Sequence, residues 1–131
     1  MYLRPKPDAP LVAAVHEALE SGEAAVAAPI VAEVLGGIRD MSEYAVREAD
    51  FRALAHVTID GDAGYTAARI GRALAGAGKT AKTIDLLLAA GAIHAGAELW
   101  SLRDDHYEEI RRILRTPALR GTGTLHVRWL A

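Results

Sequence analysis

The sequence predicts an α/β fold with a mostly parallel sheet covered by helices on both faces. Short apolar or β-branched runs alternate with longer runs of helical period from one end of the chain to the other. Strands separated by helices imply right-handed crossovers, and hence parallel pairing. With 131 residues, 51% of them apolar, the chain is the size of one domain with a substantial core, and one domain over residues 1–131 is expected.

The elements follow in order. Leu11–Ser21 repeats Leu11, Val15, Ala18 and Leu19 on one face and stops at Gly22, which predicts a helix. Glu23–Ala27 is a short apolar run, a buried strand. Pro29 suits a first helical position and opens PIVAEVLGGI, closed by Gly36 and Gly37. Met41–Leu54 is a helix carrying Tyr44, Val46 and Phe51. His56–Asp60 is β-branched and brief, a strand. Gly61–Gly78 returns to helix with Tyr65, Ala68, Ile70 and Leu74. Ile84–His94 is an apolar helix, Ala97–Leu102 a strand and Asp105–Leu114 a short helix. Leu125–Leu130 is a last strand after a flexible Gly121-Thr122-Gly123.

Composition excludes several classes of function. There is no cysteine, so neither a disulfide framework nor a thiolate metal site can form, in keeping with a reducing cytoplasm. The apolar stretches are interrupted too often to span a membrane, and no signal pattern follows Met1, so a cytoplasmic protein without membrane attachment is expected. Fifteen basic and 17 acidic residues leave a net charge of −2, so a polyanionic partner would need a local patch or metal ions. The five histidines show no HxxxH or HxH spacing, which argues against a histidine zinc site. Phosphate-loop, dinucleotide and GxSxG nucleophile spacings are absent as well.

The acids are the chemical candidates, because ligand sites in parallel sheets form at the carboxyl ends of strands. Asp104 follows the strand Ala97–Leu102, Glu33 lies in the helix after Glu23–Ala27, and Asp85 opens the helix leading into Ala97–Leu102. Each also has a plain reading. Asp85 stands where a helix dipole favours a carboxylate, and Asp104 or Asp105 suits an N-cap. Glu33 is either the one solvent-facing position of an apolar helix or an inward acid with a purpose. Asp60 also ends a strand, so position alone does not make an acid functional. Taken together, oxygen ligands from separated elements would suit a hard cation such as Mg²⁺ or Mn²⁺. Such an ion lowers the pKa of a bound water for attack on a phosphodiester. Arg39, Lys82 and Arg103 are candidate phosphate guides.

In order, AAPIVAEVLGGIRD and TIDLLLAAGAIHAGAELWSLRDDHYEEI resemble segments of the PIN-domain ribonucleases, and among them the VapC toxins of bacterial toxin–antitoxin pairs. The resemblance runs along almost the whole chain. It implies a three-layer α/β/α fold, Mg²⁺- or Mn²⁺-dependent endoribonuclease activity on RNA, a homodimer and inhibition by a VapB-like antitoxin. It assigns catalysis and metal binding to Glu33, Asp85 and Asp104, with Asp105 assisting and His106-Tyr107 in the family's His-Phe position. The front departs from the pattern: MYLRPKPDA matches the part that follows the family's first strand, so that central strand and its catalytic Asp are missing. Asp8, between prolines, does not replace it. A gap between the neighbouring strands is the expected consequence. Two rivals stand beside this reading. One is a non-catalytic PIN-like binding module. The other, a receiver-type Mg²⁺ phosphoacceptor, lacks the adjacent acids and late lysine it requires.

Overall fold

The structure, a computed structural model, describes residues 17–18, 20–22, 24–101 and 105–129. The chain divides into two units, one ending at Val57 and one beginning at Thr58. Among the described residues each unit holds its own two-stranded parallel ladder, so the mixed α/β class and the parallel pairing are both as the sequence predicts. The helix expected over Leu11–Ser21 lies largely outside the described residues, as does Asp8.

In the first unit β1 (Ala25–Ala27) runs directly into α1 (Ala28–Gly36), with Pro29 in the first turn, where its missing N–H removes no helical bond. Then α2 (Met41–Arg52) leads to β2 (Ala55–Val57), which pairs with β1 in the register Ala25 to Ala55, Val26 to His56 and Ala27 to Val57. Two helices thus form the crossover that parallel strands require. Asp40 caps α2, its carboxylate accepting from the backbone N–H groups of Ser42 at 2.8 Å and Glu43 at 3.0 Å. Val26, Ala27 and Leu35 are buried, whereas α2 buries no residue.

The second unit holds the larger core. Helix α3 (Gly61–Gly76) buries Ala63, Thr66, Ala67, Ile70 and Leu74, a stripe at helical spacing. It is capped by Asp60, whose Oδ1 accepts from the Ala63 N–H at 3.0 Å, and this explains why the preceding strand ends at Val57 and not at Asp60. The expected helix to Gly78 stops at Gly76 because Gly78 takes the left-handed conformation at φ 74°. The Lys79 N–H then bonds the Leu74 carbonyl at 2.8 Å, satisfying a carbonyl the helix end would orphan. Helix α4 (Thr83–Ala95) buries the consecutive residues Leu88 to Ala92, so it is covered over a broad arc, as its all-round apolar sequence implies.

After α4 come β3 (Glu98–Ser101), α5 (Asp105–Leu114), a 3₁₀ turn (Pro117–Leu119) and β4 (His126–Trp129). β3 and β4 pair in parallel from Glu98 with His126 to Ser101 with Trp129. Ile70, Leu74, Ala89, Ala92, Tyr107, Ile110, Leu114, Leu119 and Leu125 form one continuous cluster, with Leu99 and Val127 packed against it from the ladder. Ala63, Ala67 and Ala90 form a smaller one between α3 and α4, where short side chains allow the helices to approach closely. Gly123, expected to be flexible, is a packing point: at φ 124° a Cβ there would lie 2.6 Å from Ile93 Cγ2.

Candidate active site

Asp85 occupies the third position of α4, whose N-cap residue, Lys82, offers no capping side chain. A carboxylate there is well placed to accept from its own helix's first N–H groups. Asp40 and Asp60, which are N-cap residues, bond their helices' first N–H groups; Asp85, inside the first turn, has no such bond among the described residues. Among the described residues its partners come from α5: the Tyr107 hydroxyl donates to Oδ1 at 3.1 Å, and His106 Nδ1 lies 3.5 Å from Oδ2. The Asp85 side chain is only 19% exposed, so this pairing is made in a partly desolvated setting where it counts for more than at the surface.

The local sequence explains how α5 reaches it. Tyr107, Ile110 and Leu114 recur at i, i+3 and i+7 and enter the core, which anchors the first turn of α5 against the start of α4. Tyr107 is buried, and a buried phenol needs a hydrogen-bond partner. Asp85 supplies one. Resemblance puts His106 and Tyr107 in the family's His-Phe position without making them partners of Asp85. The signal was a hydroxyl on an otherwise apolar stripe.

The remaining candidates are placed as follows. Glu33 lies in α1 and is exposed, the solvent-facing alternative of the two that its sequence left open. Asp105 begins α5, but its side chain lies outside the described residues, as do Asp104 and Arg103 entirely. Lys82 and Arg39 are both exposed. Among the described residues no three His, Asp or Glu side chains converge. Of the histidines, His56 and His126 are exposed, His94 Nε2 lies 2.9 Å from Thr66 Oγ1, and His16 is outside the described residues.

Carboxylate oxygen, the donor that Asp85 offers, fits a hard divalent cation. A carboxylate has about four lone-pair sites, and the two neighbours of Asp85 leave some of them for another ligand. As it stands, the arrangement is a partly buried carboxylate hydrogen-bonded by a phenol and flanked by an imidazole, both from the helix that follows β3 in sequence. Compared with known protein families and with curated proteins, the chain matches none. Among the described residues no helix is long and apolar enough to cross a membrane.

Proposed function

We propose that the protein is a metal-dependent endoribonuclease of the PIN-domain kind, a VapC-like toxin with a three-layer fold that acts as a homodimer and is neutralised by a cognate antitoxin. The observation that carries this reading is the tertiary pairing of Asp85. An acid that served only its helix would bond its own backbone, and this one is held instead by the helix that follows β3, the helix reached through Asp104. The reading gives Asp85, Asp104 and Asp105 the task of holding Mg²⁺ or Mn²⁺. When bound, the ion supplies an activated water and offsets charge on the scissile phosphate. Tyr107 fixes the carboxylate's orientation through its hydroxyl, and His106 flanks the second oxygen.

The test is cleavage of a mixed RNA pool with Mn²⁺, with EDTA, and with Asp85→Asn. Loss of activity in both of the latter is expected, by 100-fold or more on the order of what removal of an electrostatic catalytic group costs. Activity indifferent to chelation or to Asp85→Asn overturns the reading. A second reading, a PIN-like module that binds without cleaving, draws support from the exposed position of Glu33. It predicts RNA or antitoxin binding with no metal-dependent product at any enzyme concentration.

A further inference from the structure

The helical arginines of this protein are not all treated alike. In α2, Arg47 lies 3.1 Å from Asp50 and Arg52 lies 3.8 Å from Glu48. In α5, both Arg111 and Arg112 are paired with Glu108. In α3, Arg69 and Arg72 are exposed, and among the described residues neither has an ion pair. Sequence explains the difference: between Asp62 and Asp85 there is no acid at all, while Arg69, Arg72, Lys79 and Lys82 fall in that interval. Lys79, beyond the end of α3, finds Glu109 at 3.7 Å, so in a chain of net charge −2 the two arginines are the cations of α3 left without an ion pair among the described residues.

Geometry adds an aromatic to it. Tyr65, Arg69 and Arg72 stand at i, i+4 and i+7 and so share one face of α3, opposite the stripe that enters the core. Tyr65 is 74% exposed, the one aromatic among the exposed large apolar side chains of the described residues. The Arg69 guanidinium reaches Thr66 Oγ1 at 3.4 Å, and the same hydroxyl lies 2.9 Å from His94 Nε2, so a side chain of α4 borders the face. Guanidinium groups without a carboxylate partner, on the same helix face as an accessible ring, are the chemistry that holds single-stranded nucleic acid, phosphates on the cations and a base on the aromatic.

We propose that the outer face of α3, formed by Tyr65, Arg69 and Arg72 with His94 at its border, is the surface that grips single-stranded RNA away from the acidic site. This rests on the nuclease reading for its choice of RNA as substrate, and on the charge and aromatic content of α3 for the location.

The experiment measures anisotropy of a fluorescein-labelled single-stranded RNA of mixed sequence with the full chain in EDTA, so that binding is read without cleavage. Arg69→Gln with Arg72→Gln should weaken binding about tenfold at low salt and reduce the log–log salt slope by about 1.4, the value for two phosphate contacts on a single strand. Tyr65→Ala should weaken binding at least about fivefold, and Tyr65→Phe should restore it. Arg47→Gln with Arg52→Gln is the control and should leave affinity unchanged. Circular dichroism melts establish that every variant folds. Affinity indifferent to the α3 variants overturns the proposal. So does equal, arginine-dependent competition by polyglutamate with no effect of Tyr65→Ala, which points to an acidic protein, or a change confined to self-association in sedimentation, which points to a second copy. Arginine-dependent RNA binding without Mn²⁺-dependent cleavage upholds this surface and overturns the nuclease reading. Cleavage that needs Asp85 but not α3 does the reverse, and absence of any RNA binding overturns both.

Discussion

Helices α2 and α3 begin alike and end differently. Each is capped by an aspartate that accepts from its own first turn. From there α2 closes its charges on itself and buries nothing, whereas α3 buries five residues and, among the described residues, leaves its arginines without an ion pair. The contrast shows that capping chemistry decides where a helix starts, and the distribution of apolar residues around it decides whether it carries stability. It also separates two uses of surface charge. Local i,i+3 and i,i+4 pairs are self-contained, while unpaired cations on a well-anchored helix are available to a partner.

The largest expected effect tests where stability resides. Ile110 is fully buried in the second unit's core, and Ile110→Ala should cost about 2–5 kcal/mol in urea unfolding. A loss below about 1 kcal/mol would break the contrast, since the core would then be no tighter than the surface of α2. Next comes Gly123→Ala, which combines positive φ with contact on Ile93 and should destabilise by about 1–3 kcal/mol, read from the same unfolding curves. A neutral outcome would return residues 121–123 to the status of a flexible connection.

Tyr107→Phe should cost about 1–2 kcal/mol because it strips a hydrogen bond from a half-buried carboxylate while keeping the ring. The same variant should lower RNA cleavage by a smaller factor than Asp85→Asn, a comparison that single-turnover assays can make. Equal losses would show that the hydroxyl does more than orient Asp85. Arg47→Gln should change stability by no more than about 0.5 kcal/mol, as expected of an exposed i,i+3 pair.

The gentlest probe is acid. The Asp40 carboxyl is held below its ordinary pKa of 3.8 by the Ser42 hydroxyl and then by the backbone N–H groups of Glu43 and Ser42. Because the folded value is the lower one, the cap's contribution is present above the unfolded pKa and is lost as pH falls through the depressed value. An NMR titration of the Asp40 side chain should find its midpoint below 3.8. A midpoint at or above that value would mean that the cap is not made.

Much of the fold was legible because it depends on period and punctuation. Helices over 61–76, 83–95 and 105–114 were readable from apolar spacing, and the strand cores at 25–27 and 98–101 from short apolar runs. Their ends were less so. Asp60 read as the end of a strand is the cap of a helix, since a carboxylate accepting from an N–H three residues on is invisible to periodicity. Parallel pairing followed from the alternation of elements, but the division into two ladders with their particular registers did not.

For the candidate site, the sequence by itself determined the ingredients: an acid at the head of an apolar helix, another group of acids after the following strand, a lone glutamate in α1, and a long interval without acids around Arg69 and Arg72. Only the tertiary structure decided which of these acids serves its own backbone and which is held by another helix. Asp40 and Asp60 are N-cap residues and bond their own first turns, whereas Asp85 is the third residue of its helix and receives the hydroxyl of Tyr107 from α5. A hydrogen bond between residues 22 positions apart depends on how two core stripes pack, and neither stripe records that in its own spacing.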